Sequence, residues 1–257
     1  SIREGIDEAR RYFGNYGRIY VYVLGQQDPE VDSEAFHQRV IDQYTRLRSG
    51  TGEKQAAELI EKTVSGQGEL YTSGVPIGVG DPPFAEIIYI NPRGKGVGLS
   101  KGALHEYTHV FQKCFGFTPT WMVEGGATFF AGYLGEKRGW GTLRSMLSSA
   151  MAVAHEVPDP FGIEQMEDID NADDEAKKYY RPLGYQAGAW AVAFMIHKSE
   201  SRRIAELRTK YYPAVSRLGW EAALAEYVDM EDKHEFYREF DAFLEQTLEE
   251  QLAILDT

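Results

Sequence analysis

The chain has 257 residues, 43% of them hydrophobic and 26% charged, which is the composition of an ordinary folded globular protein with room for one large domain or two closely packed lobes. Its 40 acidic and 27 basic residues leave a formal net charge of -13, which disfavours nucleic acid and anionic membrane surfaces as partners. No apolar run approaches the length needed to cross a bilayer, and Cys114, the single cysteine, excludes an intrachain disulfide.

The first part of the chain mixes helices and strands. Periodicity predicts a helix from Ile2 to Phe13 and a strand from Arg18 to Leu24, where Ile, Val and Leu alternate with Tyr. Further helices are expected from Ser33 to Leu47 and from Glu53 to Val64, the second closed by Gly66. A stretch punctuated by Gly and Pro follows, with strands expected at Val75 to Val79 and at Glu86 to Asn91. After Ser100 the pattern is almost entirely helical. Helices are expected at Thr142 to Ala154, Leu183 to Lys198, Ser201 to Tyr211, Trp220 to Tyr227 and Glu231 to Leu255, besides the two discussed next.

The helix beginning near Ser100 contains His105-Glu106-Tyr107-Thr108-His109. Positions i and i+4 share one helical face, so the two imidazoles can aim at one point. Ala103, Leu104, Val110 and Phe111 flank the motif with the apolar spacing of a buried helix, which Gly116 should end. Thr118-Pro119 then reads as an N-cap with proline at the first helical position, opening a helix that runs to about Leu134 and stops at Gly135. Glu124 lies near its start and can fold back against the histidines. Two imidazoles and a carboxylate are donors suited to Zn²⁺, with a fourth position left to water. Glu106 sits about 100° round the helix from His105, placed to act as a general base rather than as a ligand.

HEYTHVFQ followed by WMVEGGATFFAGY resembles the gluzincin metallopeptidases, which include thermolysin-like and aminopeptidase N-like enzymes, bacterial collagenases and peptidase MA-like domains. The resemblance covers roughly residues 84 to 198. It implies zinc held by His105, His109 and Glu124, with Glu106 as base. Trp121-Met122-Val123-Glu124-Gly125-Gly126-Ala127 is closest to the W-x-x-E-G-x-A pattern of the aminopeptidase N-like and collagenase branches. Thermolysin-like enzymes carry an aspartate four residues after the glutamate, where this chain has Thr128. Aminopeptidase N-like enzymes also carry Y-x-x-G at the head of a later helix, and Tyr185-Gln186-Ala187-Gly188 fits that pattern about 60 residues past Glu124. The resemblance thus implies that Tyr185 donates to the oxyanion, with Tyr179 and Tyr180 in reserve. The aminopeptidase motif Gly-x-Met-Glu-Asn, which grips a free α-amine, is missing from the corresponding segment Glu86 to Pro92. Peptide hydrolysis is therefore favoured over amino-terminal exopeptidase action, with the substrate backbone expected beside an edge strand around Ile87 to Ile90.

Other residues attract blander readings. Cys114 reads as a buried structural thiol. Residues 164–175 hold seven carboxylates but no EF-hand spacing, so a solvated loop is expected rather than a Ca²⁺ site. His155 and His197 are isolated, and His37 and His234 fall on polar helix faces. The chain begins at Ser1 without a signal-peptide pattern, as expected of a processed or trimmed chain. The compartment stays open, a secreted or periplasmic one being preferred.

The expected architecture is α+β and zincin-like: a small mixed sheet packed on the histidine helix (residues 1–112), then a mainly helical lobe carrying the third ligand (residues 113–257). The expected function is that of a zinc-dependent peptidase, an endopeptidase by preference, binding one Zn²⁺ and a peptide or protein substrate. The alternatives are a zinc hydrolase of a non-peptide substrate and a catalytically inactive binding module built on the same fold.

Overall fold

The computed structural model describes residues 1–25, 30–47, 52–74, 84–92 and 96–256. Helix α1 (Ile2–Phe13) starts with a capping box between Ser1 and Glu4 and buries Ile6, Ala9 and Phe13. Strand β1 (Arg18–Leu24) follows, then helices α2 (Glu34–Leu47) and α3 (Gly52–Val64), and strands β2 (Glu69–Gly74) and β3 (Phe84–Ile90). Helices α4 (Val97–Gln112), α5 (Thr120–Lys137) and α6 (Leu143–Ala154) come next. The expected strand at Val75 to Val79 lies outside the described residues.

The three strands form one mixed sheet in the order β1-β3-β2, with β3 parallel to β1 and antiparallel to β2. Strand β3 is buried on both faces. Ile87 and Tyr89 face a core shared with α1 and α4, whereas Ile88 and Ile90 face a second cluster with Leu24, Phe36, Val40, Ala56 and Leu59. This two-sided burial explains the continuous apolar run from Ile87 to Ile90. It also corrects one expectation: Ile87 to Ile90 is the central strand, not an edge. Among the described residues, the outer strands are β1 and β2, and β2 is the one that borders the cleft described below.

Helix α4 is buried along most of its length, from Ser100 through Gln112. Helix α1 lies so close that a Cβ on Gly5 would stand 2.0 Å from the Ser100 carbonyl oxygen. One continuous core runs from Ile6 and Phe13 through Tyr107 and Phe111 to Trp121, Trp190 and Phe240, crossing the 112/113 boundary. No helix among the described residues is long and apolar enough to cross a membrane.

The remaining chain is helical, as its periodicity suggests, but more divided. A 3₁₀ turn (Ile163–Met166) and α7 (Asp174–Lys177) lead into a π-helical stretch (Tyr180–Ala187), which continues as α8 (Gly188–Lys198). Pro182 lacks the N–H that a regular α-ladder would use there. Then come α9 (Ile204–Glu206), a second π turn (Leu207–Tyr211), α10 (Tyr212–Leu218), α11 (Trp220–Val228), α12 (Lys233–Leu244) and α13 (Leu248–Ala253), with a final 3₁₀ turn. The single helix expected from Glu231 to Leu255 is thus broken. Thr247 and Glu250 form a capping box that starts a new helix, a signal present in the sequence but overridden by the periodicity.

Candidate metal centre and cleft

His105 and His109 project from α4 toward Glu124 on α5. His105 Nε2 lies 3.2 Å from Glu124 Oε2, and His109 Nε2 lies 3.5 Å from the same oxygen. One donor atom from each of the three residues falls within 4.8 Å of the others, and this is the one such His/Cys/Asp/Glu group among the described residues. The acidic segment 164–175 forms no comparable group.

Gln112 fixes the orientation of His109. The Gln112 amide nitrogen faces the carbonyl oxygens of Met122 at 3.2 Å and Val123 at 3.0 Å, and the Tyr212 hydroxyl at 3.0 Å. Carbonyl oxygens only accept, so the amide is locked with Nε2 on that side. Its Oε1 therefore accepts from His109 Nδ1–H, 2.9 Å away. In the neutral ring this leaves the Nε2 lone pair directed at Glu124. Two electron-pair donors at that separation repel unless a proton or a cation stands between them. The donor set therefore fits a cation, and imidazole nitrogens with a carboxylate oxygen fit zinc.

The charges agree. Burial opposes ionisation of Glu124, yet the hydrogen bonds and charges of His105 and His109 outweigh it and hold the carboxyl well below the usual carboxylate range. Burial likewise favours neutral His109, but the hydrogen bond to Glu124 and the charge of Glu106 raise its pKa above the ordinary histidine value.

Gln112 thus orients one member of the group, a contact that the motif alone does not reveal. The signal was a glutamine one turn past His109 on a buried helix face. Gln112→Leu should leave the fold in place yet weaken zinc affinity by about 10- to 100-fold, read by competition against a chromophoric chelator, because an unsupported ring loses both tautomer and orientation. Undiminished affinity would remove Gln112 from this role. His105 has no equivalent side-chain support from Thr128 among the described residues. Its ring instead lies parallel to that of Tyr185, with centroids 5.7 Å apart and an interplanar angle of 1°.

Two of the three candidate tyrosines reach the centre. The Tyr180 hydroxyl donates to Glu124 Oε1 at 2.9 Å, so each oxygen of that carboxylate has its own partners. Tyr185 packs against Tyr180, with centroids 5.3 Å apart. Tyr179 points elsewhere and packs on Phe161. Five residues apart on an ordinary α-helix, two side chains diverge by about 140°. In the wider π turn residue i bonds to i+5, which brings Tyr180 and Tyr185 to the same side. Burial and the Glu124 carboxylate push the Tyr180 pKa up to about 12 and raise that of Tyr185 further. Both therefore remain O–H donors at neutral pH.

Glycines bring these pieces together. A Cβ on Gly125 would lie 2.2 Å from the Gly188 carbonyl carbon, and one on Gly188 would lie 2.5 Å from the Trp121 carbonyl oxygen. The backbones of α5 and α8 thus touch just beside Glu124 and three residues after Tyr185. At Gly126 an added Cβ would stand 3.0 Å from Gln112 Nε2. The Glu-Gly-Gly sequence thus serves both the third ligand and the support of His109. The start of α5 is anchored from below. Thr120 N–H donates to the Glu167 carbonyl, while the Glu167 carboxylate accepts from Tyr237 at 2.9 Å and pairs with Lys233 at 3.0 Å. Glu167 of the acidic segment therefore anchors this helix.

Glu106 is buried and lies outside the three-donor group, lining both cavities of the cleft. One cavity, of about 670 Å³, extends from His105 toward the start of α4; the other, of about 600 Å³, extends from His109 toward Phe117 and Ile169. Leu70 of β2 and Tyr185 border both. Cys114 is not part of this centre: its thiol contacts the Val110 carbonyl at 3.3 Å, and burial pushes its pKa up to about 11. The other histidines are also remote, with His155 bonded to the Leu244 carbonyl and His37 to the Val31 carbonyl.

No family model, curated protein or solved structure matches this chain.

Proposed function

We propose that this chain is a zinc-dependent peptidase of the gluzincin type, with a zincin-like arrangement of sheet, histidine helix and glutamate helix. The observation that carries this reading is the convergence of His105, His109 and Glu124 on one point, with Glu106 beside them in an open cleft. Zinc held by those three residues would supply a Lewis acid that polarises the scissile carbonyl and acidifies a water. The chain's own groups account for the rest. Glu106 accepts a proton from the attacking water and returns it to the leaving amine. Tyr185 donates to the developing oxyanion, while Tyr180 holds the outer oxygen of Glu124. An extended peptide laid along the outer side of β2 would continue the sheet and be held across both cavities.

Protein purified without chelator should carry close to one zinc per chain by elemental analysis and should cut members of a peptide library. His109→Ala should lose most of that metal. Undiminished zinc in this variant removes the ligand assignment, and a zinc-loaded protein that cuts no peptide removes the peptidase reading.

The tyrosines make separable predictions. Tyr185→Phe should keep fold and zinc and lower kcat by roughly 30-fold to 10³-fold with little change in KM, since the bond forms fully only in the transition state. Tyr180→Phe should instead weaken zinc binding, because its hydroxyl orients a ligand. Tyr179→Phe should change neither. If Tyr180→Phe shows the large kcat loss while Tyr185→Phe is near parental, the oxyanion role belongs to Tyr180.

A further inference from the structure

The two halves of the cleft differ in charge. The cavity beside His105 is lined by Lys101 of α4 and Arg181 of the π-helical stretch. Lys101 lies one helical turn before His105 on α4, and Arg181 lies four residues before Tyr185. Neither forms an ion pair among the described residues; the Arg181 guanidinium sits 5.5 Å from the centroid of the Tyr185 ring, which itself stacks on His105. The Lys101 side chain runs past two glycines. A Cβ on Gly135 would be 3.4 Å from its Cε, and one on Gly141 would be 3.3 Å from its Nζ. Larger residues at these positions would crowd the amine. The carboxylates on the same cavity are committed elsewhere: Glu69 pairs with Lys62 at 2.6 Å, and Glu106 is the proposed base. In a chain of net charge -13, two cations that line one cavity and have no ion pair among the described residues form a local anion-attracting field. The cavity beside His109 is bordered by Asp168, Asp170 and Glu124 against one basic residue in its lining, Lys113, so its balance is acidic.

We propose that Lys101 and Arg181 form a specificity pocket for a carboxylate on the C-terminal side of the scissile bond. This rests on the peptidase reading given above and names its substrate class: peptides with an acidic side chain just after the cut, or with a free C-terminus a residue or two beyond it. Guanidinium and ammonium groups are the usual partners of a carboxylate, and a two-point grip gives more discrimination than either alone. The opposite charge of the second cavity suits the amino-terminal side of the substrate. The placement also sets a direction. Gly68, Glu69 and Leu70 border the first cavity, and Glu69, Leu70 and Tyr71 border the second. A peptide running from the second cavity to the first is antiparallel to β2, which allows a regular antiparallel ladder with it.

The test uses zinc-loaded protein and matched peptides built round a bond located by library digestion. One pair differs by Glu or Gln after the cut, with amidated C-termini. The other differs by a free or amidated C-terminus, with neutral side chains. At least one pair should show kcat/KM about tenfold or more higher for the carboxylate member, and which pair does so identifies the carboxylate's source. In Lys101→Met/Arg181→Met that ratio should fall to near one, and Lys101→Glu/Arg181→Glu should prefer a peptide with Lys after the cut. Ratios near one for both pairs in the parent, or a ratio that the Met substitutions leave unchanged, overturn the proposal. If no peptide is cut, the peptidase reading falls by itself. Calorimetric binding of two pairs of fixed neutral sequence, one differing by an internal Glu or Gln and one by a free or amidated C-terminus, then decides the pocket: a carboxylate preference lost in the Met variant supports it, and equal binding overturns it.

Discussion

Glu106→Gln should retain zinc, melting temperature and peptide binding while kcat falls by about 10² or more. The reasoning is geometric. Glu106 is buried at 4% relative exposure between the two cavities, yet it stands outside the group formed by His105, His109 and Glu124. Glutamine has nearly the same shape and fills the same space, so the packing of α4 against the sheet and α1 should hold. It cannot, however, accept a proton and pass it on. The loss should appear wholly in kcat, because the group is needed for proton transfer rather than for holding substrate. Parental turnover in Glu106→Gln would sink the proposed chemistry even if the metal assignment stood. Loss of zinc in the same variant would mean that Glu106 supports the ligands, contrary to its position.

Gly125→Ala should be the most damaging single-methyl change in the cleft. The added Cβ would meet the Gly188 backbone at 2.2 Å, with the Gly188 oxygen at 2.5 Å. No flexible side chain can turn aside at this contact, so α5 and α8 must separate. Overpacking of this kind costs typically 1–3 kcal/mol and sometimes more; a rigid backbone contact belongs at about 3 kcal/mol or above. For a chain of this size that corresponds to a fall in melting temperature of roughly 6–12 °C. Activity should fall further than stability alone explains, because the head of α8 carries Tyr185 away from His105. Gly98→Ala is the control, since an added Cβ there meets nothing within 4 Å. It should be neutral or slightly stabilising. A Gly125→Ala protein that melts within a degree or two of the parent would show that the two helices slide apart without cost, and the account of the Glu-Gly-Gly segment would fail.

The grouping of His105, His109 and Glu124 was legible in the chain itself because their relations are local. His105 and His109 share a helix face at i and i+4, and Glu124 lies on the next helix, so only one turn had to be guessed to bring them together. The α+β order, the helix at Ile2 to Phe13 and the strand at Arg18 to Leu24 followed likewise from short-range periodicity. What tertiary structure decided were relations between distant segments. Ile87 to Ile90 looks like a plausible edge in isolation, but its apolar run is apolar because α1 and α4 cover one face and α2 and α3 the other, which makes it central and leaves β2 at the cleft. Tyr180 lies before the helix that periodicity predicts from Leu183; a π turn that begins at Tyr180 puts it on the same side as Tyr185, with its hydroxyl on Glu124. Gln112 became readable only when the Met122 and Val123 carbonyls fixed its amide. Lys101 and Arg181, 80 residues apart, face one cavity because α5 and α8 meet at Gly125 and Gly188. Hydrogen bonds within a turn and side-chain periodicity are properties of the local chain. Strand order, backbone contact between helices and the sharing of a cavity depend on which surfaces are buried against each other, and only the packed molecule specifies that.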